Sequence, residues 1–291
     1  GLLLLVTVAC ESQTGDPGSD GGRIVRAMTS EPGSLDPQGT PSSGLSLVLP
    51  YLYDTLVVRD TDNRIHPLLA ESWETSEDGL AITMTLKEDV VFHDGTPLDA
   101  EAVKFTFDRF KEVGTRSPIY IGIKEIESVE VVNSQTVRFH FSAPTPTFWS
   151  TISMPYAALI SPASAENEDG QMIGSGPFRL AAWERGQSLV LERNPDYTWG
   201  PPIVENQGPP HIAEFVFRII PDATTQLTAL KTGEVDVLFI NRPAHLQELK
   251  ETSGIELEEA VLNSLIYLGF NCEKPPLDEP VVRRALAHAV N

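Results

Sequence analysis

Residues 69–109 read LAESWETSEDGLAITMTLKEDVVFHDGTPLDAEAVKFTFDR, and this stretch decides the fold. The Glu-Asp-Gly sequence at 77–79 is a turn signal, because glycine tolerates the positive φ that a tight turn often needs. Apolar and polar residues then alternate in part over 80–86, which is the period of a strand with one buried face. A short strand over 90–92 and a turn at 93–95 are predicted next. Together these signals predict one supersecondary unit.

The same stretch predicts an amphipathic helix at its end. Asp99 is placed to cap the helix, and Glu101 puts a negative charge in the first turn, where the helix dipole favours it. Val103, Phe107 and Phe110 follow at helical spacing and would form the buried stripe. Nothing in the unit is a catalytic motif, so it informs about fold rather than reaction.

This unit resembles the signature segment of the extracellular solute-binding proteins that serve ABC importers of peptides and nickel (family 5, which includes oligopeptide- and dipeptide-binding proteins). Further parts of the chain are similar to the same family: YDTLV at 53–57, GSGPFRL at 174–180, LERNPDYTWG at 191–200, PDATTQLTALKTGEVDVL at 221–238 and YLGFNCEKPPLDEPVVRRALAHAVN at 267–291. The resemblance implies a mixed α/β, periplasmic-binding-protein-like fold of two lobes. It also implies that this chain is an N-terminal fragment with lobe two truncated.

The resemblance and the composition together suggest a division of the chain. The predicted parts are a signal-peptide remnant at 1–9, a flexible lipoprotein tether at 10–22, lobe one at 23–267 with an inserted subdomain at about 59–173, and a crossing into lobe two at 268–291. A length of 291 residues is enough for two domains.

The N-terminus resembles the end of a lipoprotein leader. An apolar run at 2–6 precedes Thr-Val-Ala-Cys at 7–10, which is similar to a lipobox except for its threonine. Cys10 is therefore the candidate lipid-attachment residue, and a polar, Gly-rich tether follows it. A truncated transmembrane anchor is the alternative, and both interpretations place the protein outside the cytoplasmic membrane. With Cys10 lipidated, Cys272 has no partner and no disulfide framework is expected.

The charge balance speaks against nucleic acid and anionic lipid as partners. The chain has 41 acidic and 21 basic residues and a formal net charge of −20, which would repel nucleic acid. Attraction of cationic ligands is one interpretation of this charge. A well-solvated surface is the simpler one, since net charge bears on solubility before specificity.

Several further strands are predicted from period-two patterning. They are 23–28, the hairpin pair 129–131 and 137–141, and the pair 178–183 and 189–192. Between the last two pairs lies Gly-Ser-Gly-Pro at 174–177. It is not a phosphate loop, because a phosphate cradle needs free backbone amides and proline has none.

A parallel crossover is predicted near the end of lobe one. The segment 211–220 is strand-like, Asp222 can cap a helix that runs to 231, and 235–240 is a short apolar strand. A strand, a helix and a second strand in this order indicate two parallel strands in one sheet.

Catalytic and metal chemistry find little support in the sequence. There is no G-x-S-x-G, H-E-x-x-H or Walker motif, and the six histidines are not at metal-ligand spacing. His93, beside Asp94, is the best of them, but in a turn it more often forms local hydrogen bonds. No enzyme activity, cofactor or metal is predicted.

The resemblance implies a binding protein that closes two lobes over a ligand by a hinge. The loop at 34–39 and Tyr51 would face the ligand cleft from lobe one. Tyr51 lies in an apolar segment, 45–57, whose length predicts a helix. The candidate ligand-contacting residues are Ser34, Leu35, Asp36, Pro37, Tyr51 and Asn271.

Short peptides are the expected ligands, with nickel chelates, sugars and opines as alternatives. The expected partners are ABC permease subunits and, through the lipid anchor, the membrane; the protein is expected to be a monomer. A secreted hydrolase and a surface scaffold are the other classes.

Overall fold

A mixed seven-stranded sheet lies at the centre of the computed structural model, which describes residues 3–7, 21–166, 172–240, 243–250, 252–260 and 269–289. In spatial order its strands are β13 (Glu258–Ala260), β1 (Leu3–Thr7), β12 (Val237–Ile240), β2 (Arg23–Met28), β11 (Glu214–Ile219), β10 (Ser188–Arg193) and β9 (Phe178–Glu184). Strand β2 is parallel to both of its neighbours, and every other pair is antiparallel.

The predicted parallel crossover is confirmed. Helix α5 (Ala223–Lys231) connects β11 to β12, and both strands run parallel to β2 between them. The helix begins where the sequence indicates, because the Asp222 carboxylate accepts a hydrogen bond from the Thr225 backbone N–H at 2.8 Å. Its buried residues Leu227 and Leu230 pack against β12 and Ala27.

A second, four-stranded antiparallel sheet forms within residues 70–141. Its order is β5 (Ala70–Thr75), β6 (Ala81–Leu86), β8 (Thr136–Phe141) and β7 (Ile126–Asn133). Helix α2 (Ala100–Val113) packs on it, capped by Asp99 as predicted, with its carboxylate 3.1 Å from the Ala102 backbone nitrogen. Phe107 and Phe110 are buried against this sheet, which confirms the predicted apolar stripe.

The remaining elements connect and flank the sheets. They are the strand pair β3 (Val57–Arg59) and β4 (Ile65–Pro67), and the helices α1 (Ser43–Leu52), α3 (Tyr120–Ile123), α4 (Phe148–Ile152), α6 (Pro243–Lys250) and α7 (Pro280–Ala289). Within the described ranges, 3₁₀ turns occur at Gly114–Arg116, Pro155–Ala157 and Pro162–Glu166.

Two local predictions were wrong. The helix predicted over 45–57 ends at Leu52, because Tyr53 turns into an extended conformation. Its hydroxyl lies 2.7 Å from the carbonyl oxygens of both Leu35 and Met172 and shares its single hydrogen between them. The strand predicted over 90–92 is one bridge between Val91 and Pro97. The chain folds back on itself too soon there for a longer ladder to form.

The structure describes only part of the predicted signal remnant and tether. Leu3–Thr7 forms β1 between β12 and β13, whereas Cys10 and most of the predicted tether lie outside the described residues. The signal remnant, the tether and the domain boundaries therefore stay predictions. In the part of the chain that the structure describes, no helix combines the length and the apolar character needed to cross a membrane.

Candidate functional site

A cavity of about 500 Å³ opens at the carboxyl ends of β2 and β12. In open α/β sheets the carboxyl ends of parallel strands are where ligands most often bind. The residues that follow β2, Thr29 and Ser30, form one wall together with Ser43 at the beginning of α1. Leu227 of α5 and Leu238 of β12 are among the apolar residues of the opposite wall.

Close backbone contact brings α1 to the cavity. A Cβ on Gly44 would lie 2.5 Å from the Ser30 carbonyl oxygen and 2.9 Å from the Glu31 carbonyl carbon. Only glycine therefore lets the first turn of α1 approach the chain that leaves β2. The Ser30 and Ser43 hydroxyls lie 3.5 Å apart as a result, so two polar groups meet at one place in the wall.

The charge of this cavity differs from that of the whole chain. Among the described residues, those that line it include Arg26 and His245 but no Asp or Glu, although the chain carries a net charge of −20. Most of the lining is apolar or hydroxyl-bearing, which suits a small solute with apolar parts and a few polar groups.

In the loop at 34–39, which is predicted to face the ligand cleft, most of the candidate side chains contact other parts of the protein. Leu35 is buried in the core between α1 and the central sheet, Pro37 is also buried, and Ser34 is exposed. Asp36 forms a bidentate ion pair with Arg109 of α2, with O–N distances of 2.7 and 3.1 Å. This pair fixes the loop to the second sheet's helix.

Tyr51 and Asn271, the other two candidates, also lie away from this cavity. Tyr51 packs against Phe215 and Phe217, with ring centroids 4.5 and 5.3 Å apart, and lines a second cavity of about 710 Å³. Asn271 is exposed, and its side chain accepts a hydrogen bond from the Glu273 backbone N–H. None of the six candidates lines the first cavity, so their role in ligand contact stays a prediction.

A buried carboxylate joins three of the segments that resemble the family signatures. Asp54 accepts hydrogen bonds from the Ser175 hydroxyl at 2.9 Å, the Trp199 indole N–H at 2.9 Å and the Tyr197 hydroxyl at 3.1 Å. Burial raises the pKa of Asp54 to about 6, although these hydrogen bonds and the charge of Lys87 act in the opposite direction. The network holds the end of α1 against the segments before β9 and after β10.

His93 has the local role that its turn predicts. Its ring Nε2 lies 2.9 Å from the Gly176 carbonyl oxygen, and burial lowers its pKa to about 4, so the ring is neutral and donates this hydrogen bond at neutral pH. The adjacent Asp94 accepts from the Thr96 and Ser161 hydroxyls, at 2.6 Å in both cases. Within the described ranges, no group of three or more His, Cys, Asp or Glu side chains is arranged to hold a metal ion.

Part of the first cavity could have been found from the sequence. The sequence predicts β2 as a strand and a crossover from β11 to β12, and such a crossover joins two parallel strands of one sheet. The rule for the carboxyl ends of such strands then points to Thr29 and Ser30, which directly follow β2. The contribution of Ser43 depends on the close approach of Gly44, which no local pattern reveals.

Comparison with known proteins gives one consistent result. Residues 64–291 match the family model described as "Bacterial extracellular solute-binding proteins, family 5 Middle". The glutathione-binding protein GsiB of Escherichia coli (strain K12) is 29% identical over 272 residues, which are 92% of this chain and 52% of GsiB. This chain therefore spans about half the length of such relatives.

Solved structures agree with this match. A dipeptide-binding protein from Pseudoalteromonas sp. SM9913 in complex with Met-Leu superposes with a TM-score of 0.80 at 26% identity, over 93% of this chain and 57% of that one. The binding protein MoaA from A. tumefacien R10, in complex with mannopinic acid, gives 0.80 at 27% identity, over 93% and 56%.

These neighbours are two-lobe periplasmic binding proteins, which confirms the predicted mixed α/β fold class and the predicted resemblance. The matched family is one of binding proteins outside the cytoplasm rather than of enzymes. The chain belongs to the bacterial extracellular solute-binding proteins of family 5.

Proposed function

We propose that this chain forms part of a receptor that captures a small solute, in the first place a short peptide, and delivers it to the permease of an ABC importer. The observation that carries the proposal is the cavity at the carboxyl ends of β2 and β12, with its hydroxyl-bearing wall and its apolar wall. Relatives named for binding glutathione or a dipeptide support a peptide as the ligand.

The proposal extends to the setting of the receptor. The protein acts outside the cytoplasmic membrane as a monomer, and a lipid on Cys10 holds it at the membrane surface. The family match supports the location, and the lipobox-like sequence at 7–10 supports the anchor. Replacement of Cys10 by Ala should release the protein into the soluble cell fraction; retention of the variant on membranes would contradict lipid anchoring.

An opine is the second candidate ligand. MoaA, which superposes over 93% of this chain, was solved with mannopinic acid. An opine carries carboxylates as a peptide does, so both ligands are compatible with a cavity that has a cationic residue and no acidic one among the described lining residues. Competition by mannopinic acid against bound peptide tests this second candidate. Release of the peptide would support an opine as a ligand of the same cavity, and full retention of the peptide would speak against it.

The test is equilibrium dialysis against a pool of synthetic tripeptides, with mass spectrometry of the peptides that the protein retains. Ala223, in the first turn of α5, lines the cavity and is half-buried. Its replacement by Trp puts a large side chain at the wall of the cavity, and we expect retention to fall at least tenfold. Thr224→Trp is the matched control, because Thr224 is exposed and does not line the cavity.

Equal retention by Ala223→Trp and the wild-type protein would place the ligand elsewhere. Retention of no peptide by the wild-type protein would contradict the peptide receptor, and a hydrolase would be recognised by cleavage of the pool.

A further inference from the structure

Arg26 brings the positive charge of strand β2 to the first cavity. Among the described residues, no hydrogen bond or ion pair holds its side chain. It lies on β2, opposite Val237 of β12, and lines both the first and the second cavity. Its Nε is buried and has no hydrogen-bond partner among the described residues. Arg23, on the same strand, instead pairs with Glu214 at 2.7 Å.

An arginine in this state favours an incoming acceptor. The buried Nε is out of reach of a ligand, so an incoming acceptor would pair with the terminal nitrogens of the guanidinium. A charge-assisted hydrogen bond to those nitrogens is roughly twice as strong as a neutral one. The planar guanidinium is suited to two parallel hydrogen bonds with a carboxylate. The geometry of the site therefore favours a ligand that brings a carboxylate to Arg26.

The nearby protein carboxylates are used elsewhere. Glu31 accepts hydrogen bonds from the Trp183 indole N–H and the Gly186 backbone N–H, both at 3.1 Å. Asp236 accepts from the Val25 backbone N–H at 2.7 Å. Asp222 caps α5. Each of these groups therefore has a structural partner of its own.

The rest of the cavity fits a small molecule with one anionic end. The Ser30 and Ser43 hydroxyls, 3.5 Å apart, can donate to a ligand oxygen, and the leucines of the opposite wall can take an apolar side chain. No acidic group among the described lining residues repels the anion.

We propose that Arg26 recognises a carboxylate of the ligand and so makes this receptor selective for solutes with a free carboxylate over their neutral derivatives. The proposal rests on the proposed function, because it assigns the ligand chemistry of the same cavity. Arg26 acts here by direct contact with the ligand rather than by shaping the wall.

The experiment uses two probes and three variants. The probes are a pool of synthetic tripeptides with free C-terminal carboxylates and the same pool with C-terminal amides, each dialysed against the protein. The variants are Arg26→Gln, Arg26→Lys and the control Arg23→Gln, which removes the same charge from the same strand outside the cavity. Thermal melting checks that each variant is folded.

The wild-type protein and Arg23→Gln should retain the free acids at least tenfold more than the amides, since a charge-assisted pair is lost with the amides. Arg26→Gln should lose this preference by retaining fewer of the acids, and Arg26→Lys should keep part of it.

Equal retention of acids and amides by the wild-type protein would overturn the role of Arg26 while leaving the peptide receptor intact. An unchanged acid preference in folded Arg26→Gln would also overturn it. Retention of neither pool by the wild-type protein would instead contradict the proposed function, and with it this inference.

Discussion

Replacement of His93 by Gln should change how stability depends on pH. Glutamine can still donate a hydrogen bond to the Gly176 carbonyl, so the contact is kept and the titration is removed. Burial lowers the pKa of His93 from 6.5 to about 4. A neutral histidine is thus favoured in the folded state, and its contribution to stability is complete above pH 6.5 and is lost as the pH falls toward 4.

Asp54 acts in the opposite direction over the same range. Burial raises its pKa from 3.8 to about 6, so its contribution to stability is complete below pH 3.8 and is lost as the pH rises through 6. With about 1.4 kcal/mol for each pKa unit, acidification from pH 7.5 to 5 removes about 2 kcal/mol at His93 and adds about 1 kcal/mol at Asp54. In the wild-type protein these two contributions should therefore partly offset each other.

The assay is urea unfolding followed by tryptophan fluorescence at pH 7.5 and pH 5. Relative to the wild-type protein, His93→Gln should gain about 2 kcal/mol of stability on acidification, because the loss at His93 is removed. Asp54→Asn should lose about 1 kcal/mol relative to the wild-type protein, because the gain at Asp54 is removed. Other carboxyl groups titrate equally in all three proteins and cancel in the comparison. Parallel pH profiles for the wild-type protein and both variants would refute this reasoning.

Three further substitutions test the packing that positions the cavity, each by urea unfolding. Gly176→Ala puts a Cβ 2.5 Å from the backbone at the end of α1 and should lower the free energy of unfolding by about 2–4 kcal/mol, whereas Gly33→Ala, with nothing within 4 Å, should change it by less than about 0.5 kcal/mol. Arg109→Lys loses the bidentate ion pair with Asp36 and should lower the free energy of unfolding by about 1–2 kcal/mol. An unchanged free energy of unfolding would mean that other contacts fix the loop at 34–39. Phe139→Ala, at a fully buried site in β8, should lower it by about 3–5 kcal/mol, and a loss below about 1 kcal/mol would contradict the described core.

Local patterns sufficed for most elements of the fold. The Asp99 cap and the apolar spacing from Val103 predict α2, and the Asp222 cap predicts the beginning of α5. These signals work because caps and periodicity act within a few residues of the chain. The helix predicted over 45–57 was too long because the chain becomes extended at Tyr53, whose hydroxyl contacts carbonyl groups 18 and 119 positions away in the sequence.

The candidate site was harder to predict for the same reason. Asp36 has the residue type of a ligand-binding group, but it pairs with Arg109, which is 73 positions away in the chain. The reverse holds for Arg26, which looks like an ordinary strand residue in the sequence. Its importance appears only when β12 and α1 are placed around it. Pairings between distant residues decide which polar groups remain available to a ligand.

A structure of the protein with a retained tripeptide is the most direct test of ligand capture at the carboxyl ends of β2 and β12. We predict that the peptide lies in the cavity between Ser30, Ser43 and Leu227, with its carboxylate within hydrogen-bond distance of the Arg26 guanidinium. A peptide seated instead in the second cavity beside Tyr51, or outside both cavities, would contradict the account.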